Sequence, residues 1–343
     1  MRIIKSKAPL RLGLAGGGTD VSPYSDLYGG AILNATIHLF AHAIVRETNE
    51  KKICFKRAAD GLQKSFPLEK HIPFEPAFDL AIGIYNRLMK DFSPEPRGFE
   101  LIYYMDVAHG SGLGTSSTMA VAILGAMARL FHIPLGKYDL AHLAYEIERI
   151  DLGMAGGKQD QYAATFGGFN FMEFYANDKV IVNPLGLSRE FVLELEENLL
   201  LFYTDTKRNS SEIIREQITN VKTNRDESIQ AMHALKLQAR QMKEALLNEE
   251  ARRLGSILHE GWMNKKKMAG NISNDFLDEL YELALEKGAL GGKISGAGGG
   301  GYMFFYVPSE NKMDVANALI AKGGKIQPFS FCRDGLWVWE SKN

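Results

Sequence analysis

A glycine-rich loop running straight into an apolar helix constrains this chain more than any other stretch. Residues 109–118 read His109-Gly110-Ser111-Gly112-Leu113-Gly114-Thr115-Ser116-Ser117-Thr118, and an apolar run continues to Phe131. Closely spaced glycines let the backbone approach a ligand and turn several N–H groups one way. A helix N-terminus adds unpaired N–H groups and about half a positive charge. Together they predict a phosphate cradle. No lysine follows Gly114, so this is not the Gly-x-x-x-x-Gly-Lys-Ser/Thr loop, and the spacing is not the Gly-x-Gly-x-x-Gly of a dinucleotide site. The helix that follows is apolar nearly all round (Met119, Val121, Ala122, Ile123, Leu124) and is expected to be buried.

With 343 residues, two domains are expected. Residues 3–14 read as a strand interrupted by Pro9, residues 30–37 and 41–47 as two further strands, 53–56 as a short one and 99–105 as the strand entering the glycine loop. Helical spacing marks residues 77–91, 140–149, a charged stretch at 210–250, and 276–287. Short hairpin-like strands with clustered helices favour α+β over a doubly wound parallel sheet. Polar composition around Pro184 and Gly186 places the boundary there, giving units 1–185 and 186–343. The formal net charge of −1 supplies no field for nucleic acid or anionic lipid. Two distant cysteines, Cys54 and Cys332, form no metal spacing, and with no signal-like N-terminus or membrane span they point to the cytoplasm.

Two more glycine loops flank the first. The earlier, Ala15-Gly16-Gly17-Gly18-Thr19-Asp20, follows Arg11; it could be a mere tight turn, or a polyol site in which Asp20 accepts from sugar hydroxyls. The later, Ser295-Gly296-Ala297-Gly298-Gly299-Gly300-Gly301, implies close approach of another backbone or a ligand. Between them lie Glu148 and Asp160, acids suited to hold a divalent ion and to deprotonate an attacking hydroxyl. Taken alone, Glu148 reads equally as an exposed helix residue and Asp160 as a turn or N-cap acid.

The three loops in this order resemble the three motifs of the GHMP kinases, with Ala108 where the second motif usually has proline. The resemblance spans nearly the whole chain and is strongest to the sugar 1-kinase branch, through Gly16-Gly17-Gly18-Thr19-Asp20 and Gly157-Lys158-Gln159-Asp160-Gln161-Tyr162. It implies an α+β, two-domain fold: an N-terminal ribosomal-protein-S5-like α/β domain and a C-terminal ferredoxin-like α+β domain. It implies ATP and Mg²⁺, with Gly110, Ser111, Gly112, Leu113, Gly114, Thr115, Ser116 and Ser117 around the ATP phosphates and Ser116 with Glu148 on the metal. Asp160 matches the family's base, an acid homoserine kinase lacks, and Arg11 the basic residue facing it. Gly17, Gly18, Thr19 and Asp20 match the sugar loop, and Gly296, Gly298 and Gly299 close beside the sugar. The implied acceptor is a heptose 7-phosphate phosphorylated on its anomeric hydroxyl, with L-fucose or another neutral sugar as the alternative and a non-catalytic sugar sensor as the reading of another class. For the sugar's own phosphate the candidate cations are Lys158, Lys207 and Arg208. Small molecules are the expected partners, without nucleic acid or membrane, and a homodimer stays open.

Overall fold

A computed structural model describes residues 1–108, 110–206 and 210–341. In chain order the first half comprises β1 (Ile3–Ala15), α1 (Tyr24–Tyr28), β2 (Gly30–Thr48), β3 (Lys52–Arg57), β4 (Gln63–Pro67), α2 (Asp79–Phe92), β5 (Gly98–Met105), α3 (Thr115–Leu130), α4 (Lys137–Glu146), α5 (Gln159–Phe166), β6 (Phe169–Phe174) and β7 (Val180–Pro184). The second half comprises α6 (Arg189–Asn198), β8 (Leu199–Tyr203), α7 (Ser210–Lys222), α8 (Asp226–Leu247), α9 (Ala251–Lys266), α10 (Asp275–Glu286), β9 (Gly291–Ile294), β10 (Tyr302–Tyr306), α11 (Lys312–Ala321), β11 (Lys325–Ile326) and β12 (Trp337–Ser341).

Strands of the first half, joined by β12 of the second, build one large sheet ordered β12-β1-β2-β5-β3-β4, with β6 and β7 continuing from β2. All its pairings are antiparallel except β3 with β5. The second sheet, β11-β8-β10-β9, is wholly antiparallel. The α+β class follows directly from this mixture. The charged 210–250 stretch resolves into α7 and α8, and the expected pair of strands at 30–47 is the single strand β2.

Pro9 does more than interrupt β1. It brings no N–H to the ladder, and the β1–β2 register shifts between Pro9 and Leu10. Before the shift, Ile4 and Ala8 pack into the core against α2 and α3, and Ser6 Oγ donates to the Ala122 carbonyl of α3. Beyond it, Leu10, Leu12 and Leu14 join a second core with Leu201 and Phe304 of the second sheet and Met242, Leu246 and Leu254 of α8 and α9. A ladder irregularity that switches the face of a strand re-aims every later side chain. Arg11 is thereby turned toward α5.

The two units therefore share a core, and the boundary at 185/186 does not separate them cleanly. β12 returns to pair with β1, and Phe331 bridges to Ile37. A strand this close to the C-terminus carried no local signal, because its partner lies more than three hundred residues away. Among the described residues no helix is long and apolar enough to cross a membrane.

β12 is seated on α3 at Gly125, where a Cβ would stand 2.7 Å from Leu336 Cδ2 and 3.1 Å from Val338 Cγ2. Gly125→Ile is expected to lower unfolding free energy by about 1–3 kcal/mol through overpacking. It should also speed hydrogen exchange of the 337–341 amides; unchanged exchange there would mean that β12 is not held by this contact.

Candidate active site

The glycine loop between β5 and α3 enters the helix through Gly114, whose φ of +80° is the left-handed conformation that glycine adopts without strain. The first turn of α3 carries no acid of its own, so its N–H groups present the positive end of the helix. Gly110, Gly112, Gly114, Thr115, Ser116 and Ser117 line a cleft of about 570 Å³. Ser111 and Leu113 do not line it. Leu113 points into the core shared by the two units, and Ser111 is buried with its carbonyl accepting from Tyr302 N.

Arg11 reaches the cleft from β1. Its Nε and Nη2 donate to the two carboxylate oxygens of Asp160 at 2.7 and 2.9 Å, a fork-to-fork ion pair. Its Nη1 donates to the Gly112 carbonyl at 2.6 Å and to Ser295 Oγ at 3.3 Å. Asp160 sits in the first turn of α5, and a Cβ on Gly114 would lie only 3.1 Å from its carboxyl carbon. The carboxylate thus stands against the very residue where the phosphate loop becomes a helix.

Glu148 lies where α4 relaxes into a wider π-helical turn, Ile147–Asp151, a distortion common at functional sites. It is fully buried; Oε1 accepts from Ser116 Oγ at 2.9 Å and Oε2 from Gln161 Nε2 at 2.6 Å. One carboxylate and one hydroxyl together beside a phosphate loop is a donor set that fits Mg²⁺, which takes few protein oxygens and completes its shell with phosphate and water. Ser116 faces the cleft and Glu148 stands behind it, so the pair fits an ion held at the loop.

In the first loop, Gly17, Gly18 and Asp20 line the cleft. Thr19 does not: it is fully buried and its hydroxyl binds the carbonyls of Gly16 and Ala31, closing the turn. The Asp20 carboxylate accepts from the backbone N of Gln159, and burial pushes its pKa above the ordinary carboxylate value, with Asp160 adding to the effect.

Gly296 lines the cleft, whereas Gly298 and Gly299 pack on the Ile272 backbone, Gly299 N donating to its carbonyl. Gly301, at φ +88°, lies so close to the Ser111 carbonyl that any side chain would overlap it. The third loop therefore buttresses the phosphate loop more than it touches ligand.

Lys158 does not serve the cleft as a free cation. Its ammonium is buried, pairs with Asp178 at 2.7 Å and lies 3.4 Å from Asp26, so its charge is already neutralised. Lys207 and Arg208, like His109, fall outside the described residues. Sequence reasoning also missed several cleft residues, among them Arg149, which donates to Ser117 Oγ, and Gln159, Gln217, Lys265 and Lys293. Lys265 sits in the run Lys265-Lys266-Lys267, and its burial marks it out from its neighbours.

Residues 79–168 match the GHMP kinases N terminal domain and residues 242–325 the GHMP kinases C terminal domain. The chain is 45% identical over 339 residues to the D-glycero-alpha-D-manno-heptose 7-phosphate kinase of Campylobacter jejuni, with 99% of each chain covered. It superposes on the crystal structure of a D-glycero-D-manno-heptose 1-phosphate kinase from Bacteroides thetaiotaomicron with a TM-score of 0.84 and 44% identity, over 99% of this chain and 100% of that one. It is 27% identical to a bifunctional fucokinase/GDP-fucose pyrophosphorylase of Arabidopsis thaliana, over 91% of this chain and 30% of that protein. The chain belongs to the GHMP kinase family. It is a sugar kinase of that family, whose phosphoryl donor is ATP and which typically uses Mg²⁺.

Asp20 gives a stability signature. Its folded pKa lies above the unfolded value of about 3.9, so its contribution to folding is fullest below that pH and is lost as pH rises through the raised pKa. Asp20→Asn is expected to flatten this fall in urea midpoints as pH rises above about 4. A wild-type and variant profile of equal slope would refute the burial cost assigned to the carboxylate.

Proposed function

We propose that the protein transfers the γ-phosphoryl group of ATP to the anomeric hydroxyl of D-glycero-D-manno-heptose 7-phosphate, with Asp160 as the base. The observation that carries this reading is the Arg11–Asp160 pair set against Gly114 at the start of α3. Each Asp160 oxygen accepts one N–H from Arg11 and keeps a lone pair for a substrate hydroxyl. The sugar oxygen attacks the γ-phosphorus, ADP leaves, and the hydroxyl proton passes to Asp160. An anomeric hydroxyl is more acidic than an ordinary alcohol, so a carboxylate is an adequate base.

The remaining groups divide the work. Loop N–H groups and the α3 N-terminus bind the ATP phosphates. Mg²⁺, held by Ser116 and Glu148, offsets phosphate charge when bound. Arg11, at the same loop, adds a fixed positive charge beside the transferring group. On the acceptor side, the Asp20 carboxylate and Gln159 Oε1 can take sugar hydroxyls; the latter is buried with no hydrogen-bond partner, and Gln159 lines the cleft. A binding protein without chemistry has no use for a base poised against a phosphate loop, which disfavours the sensor reading. All these residues come from one chain, so the reading needs no second copy even if the protein is a homodimer. We place the protein in the cytoplasm, where ATP is available and the free thiols of Cys54 and Cys332 would persist.

Asp160→Asn should lower kcat by at least about 100-fold, the usual contribution of a general base. Turnover within threefold of wild type would remove Asp160 from that role. ATP consumption with heptose 7-phosphate, heptose 1-phosphate and L-fucose, assayed separately, should be greatest with the first. Preference for the 1-phosphate would exclude an anomeric acceptor, and preference for L-fucose would shift the reading to a neutral-sugar kinase.

A further inference from the structure

Three buried donor side chains meet at the Gly17–Gly18 end of the cleft, and none of them is used in the chemistry above. Lys265 comes from α9, Lys293 from β9 and Gln217 from α7, and all three line the cleft. Each is almost wholly buried, at 2%, 3% and 2% exposure. A Cβ on Gly17 would stand 3.7 Å from Lys265 Nζ and 4.0 Å from Lys293 Nζ, and one on Gly18 would stand 3.5 Å from the Gln217 amide oxygen. The Gly17 backbone, whose carbonyl accepts from Lys265 Nζ at 3.4 Å, thus carries no side chain into the space beside both ammonium groups. The Gln217 Nε2 donor is buried with no hydrogen-bond partner.

Burial, Lys265 and Arg11 together push the Lys293 pKa well below its ordinary value. A buried ammonium crowded by other cations favours an anion beside it, and the buried Gln217 amide donor needs an acceptor. A phosphate monoester supplies both: close to two negative charges near neutral pH and three acceptor oxygens.

We propose that Lys293, Lys265 and Gln217 form the seat for the acceptor's own phosphate, separate from the loop that binds the phosphates of ATP. This deepens the heptose-phosphate reading and rests on it for the identity of the sugar. It assigns the role for which Lys158 is excluded by its own ion pairs. Gly17 is then the residue that makes room: the sugar loop approaches the ring, and the bare backbone lets the distal phosphate pass to the lysines.

Two measurements test the seat. In the first, kcat/KM is compared for heptose 7-phosphate and unphosphorylated heptose in wild type, Lys293→Met and Lys265→Met. Loss of a charged hydrogen bond should cost about 10–100-fold on the phosphorylated sugar, mainly in KM, and leave the neutral sugar within about threefold. Equal losses on both sugars would move the lysines to the transferred phosphoryl group and overturn the seat; a retained preference for the phosphorylated sugar would also overturn it. Lys293→Met removes a buried charge at nearly constant volume, so it should fold with an unchanged or higher Tm. In the second, inorganic phosphate is titrated with a non-hydrolysable ATP analogue saturating. It should raise the wild-type Tm and fail to raise that of Lys293→Met. An equal rise in both would overturn the seat whatever the sugar. Phosphate binding that depends on Lys293, in an enzyme that does not turn over heptose 7-phosphate, would instead keep the seat and retire the acceptor.

Discussion

The Arg11 guanidinium donates to both oxygens of Asp160, to the Gly112 carbonyl and to the Ser295 hydroxyl, while its backbone N donates to the Leu113 carbonyl. One side chain thus touches the phosphate loop, Asp160 and the third glycine loop at once. Buried as it is, it cannot lose its carboxylate partner cheaply; breaking such a pair costs about 3–5 kcal/mol because a charge is left without compensation. The pair therefore fixes the Asp160 carboxylate relative to the phosphate loop more firmly than a loop could alone. Ser295 Oγ adds its own bond to Gly112 O at 3.0 Å, so that the second unit braces the same carbonyl.

The glycines make this convergence possible. Gly114 lets the phosphate loop pass the Asp160 carboxylate, and Gly301 lets the third loop lie on Ser111. Side chains at either point would push the loops apart, and transfer chemistry is sensitive to small displacements. The shared core behind β1 and β2 carries the same logic to larger scale. Leu10, Leu12 and Leu14 bind the second unit to the strand that carries Arg11, so the walls of the cleft are continuous with the packing that holds the units together.

Electrostatics then sorts the cleft into two ends. At the phosphate loop the positive field comes from backbone N–H groups, a helix terminus and Arg11, with Glu148 placed beside Ser116. At the Gly17 end it comes from the Lys265 and Lys293 ammonium groups. Asp20 and Asp160 line the same cleft as acids. A bisphosphorylated product would span both ends, which is the charge pattern this cleft presents.

What the sequence determined by itself was whatever is local: three glycine loops, the buried helix behind one of them, the α+β mixture, and the acids and arginine whose spacing within the motifs marks their chemistry. Even so, equal membership in a motif concealed different roles. Thr19, Leu113, Gly298 and Gly299 stand in the loops yet serve turns and packing, because which way a residue in a glycine loop faces depends on what packs behind it. Only the tertiary structure decided the rest. Lys158 was matched with two acids distant in the chain, β12 was returned to β1, and Lys265, Lys293 and Gln217 were drawn from three separate elements to one wall. A charge is read from the sequence as solvated unless its burial is known, and burial is a property of the assembled core.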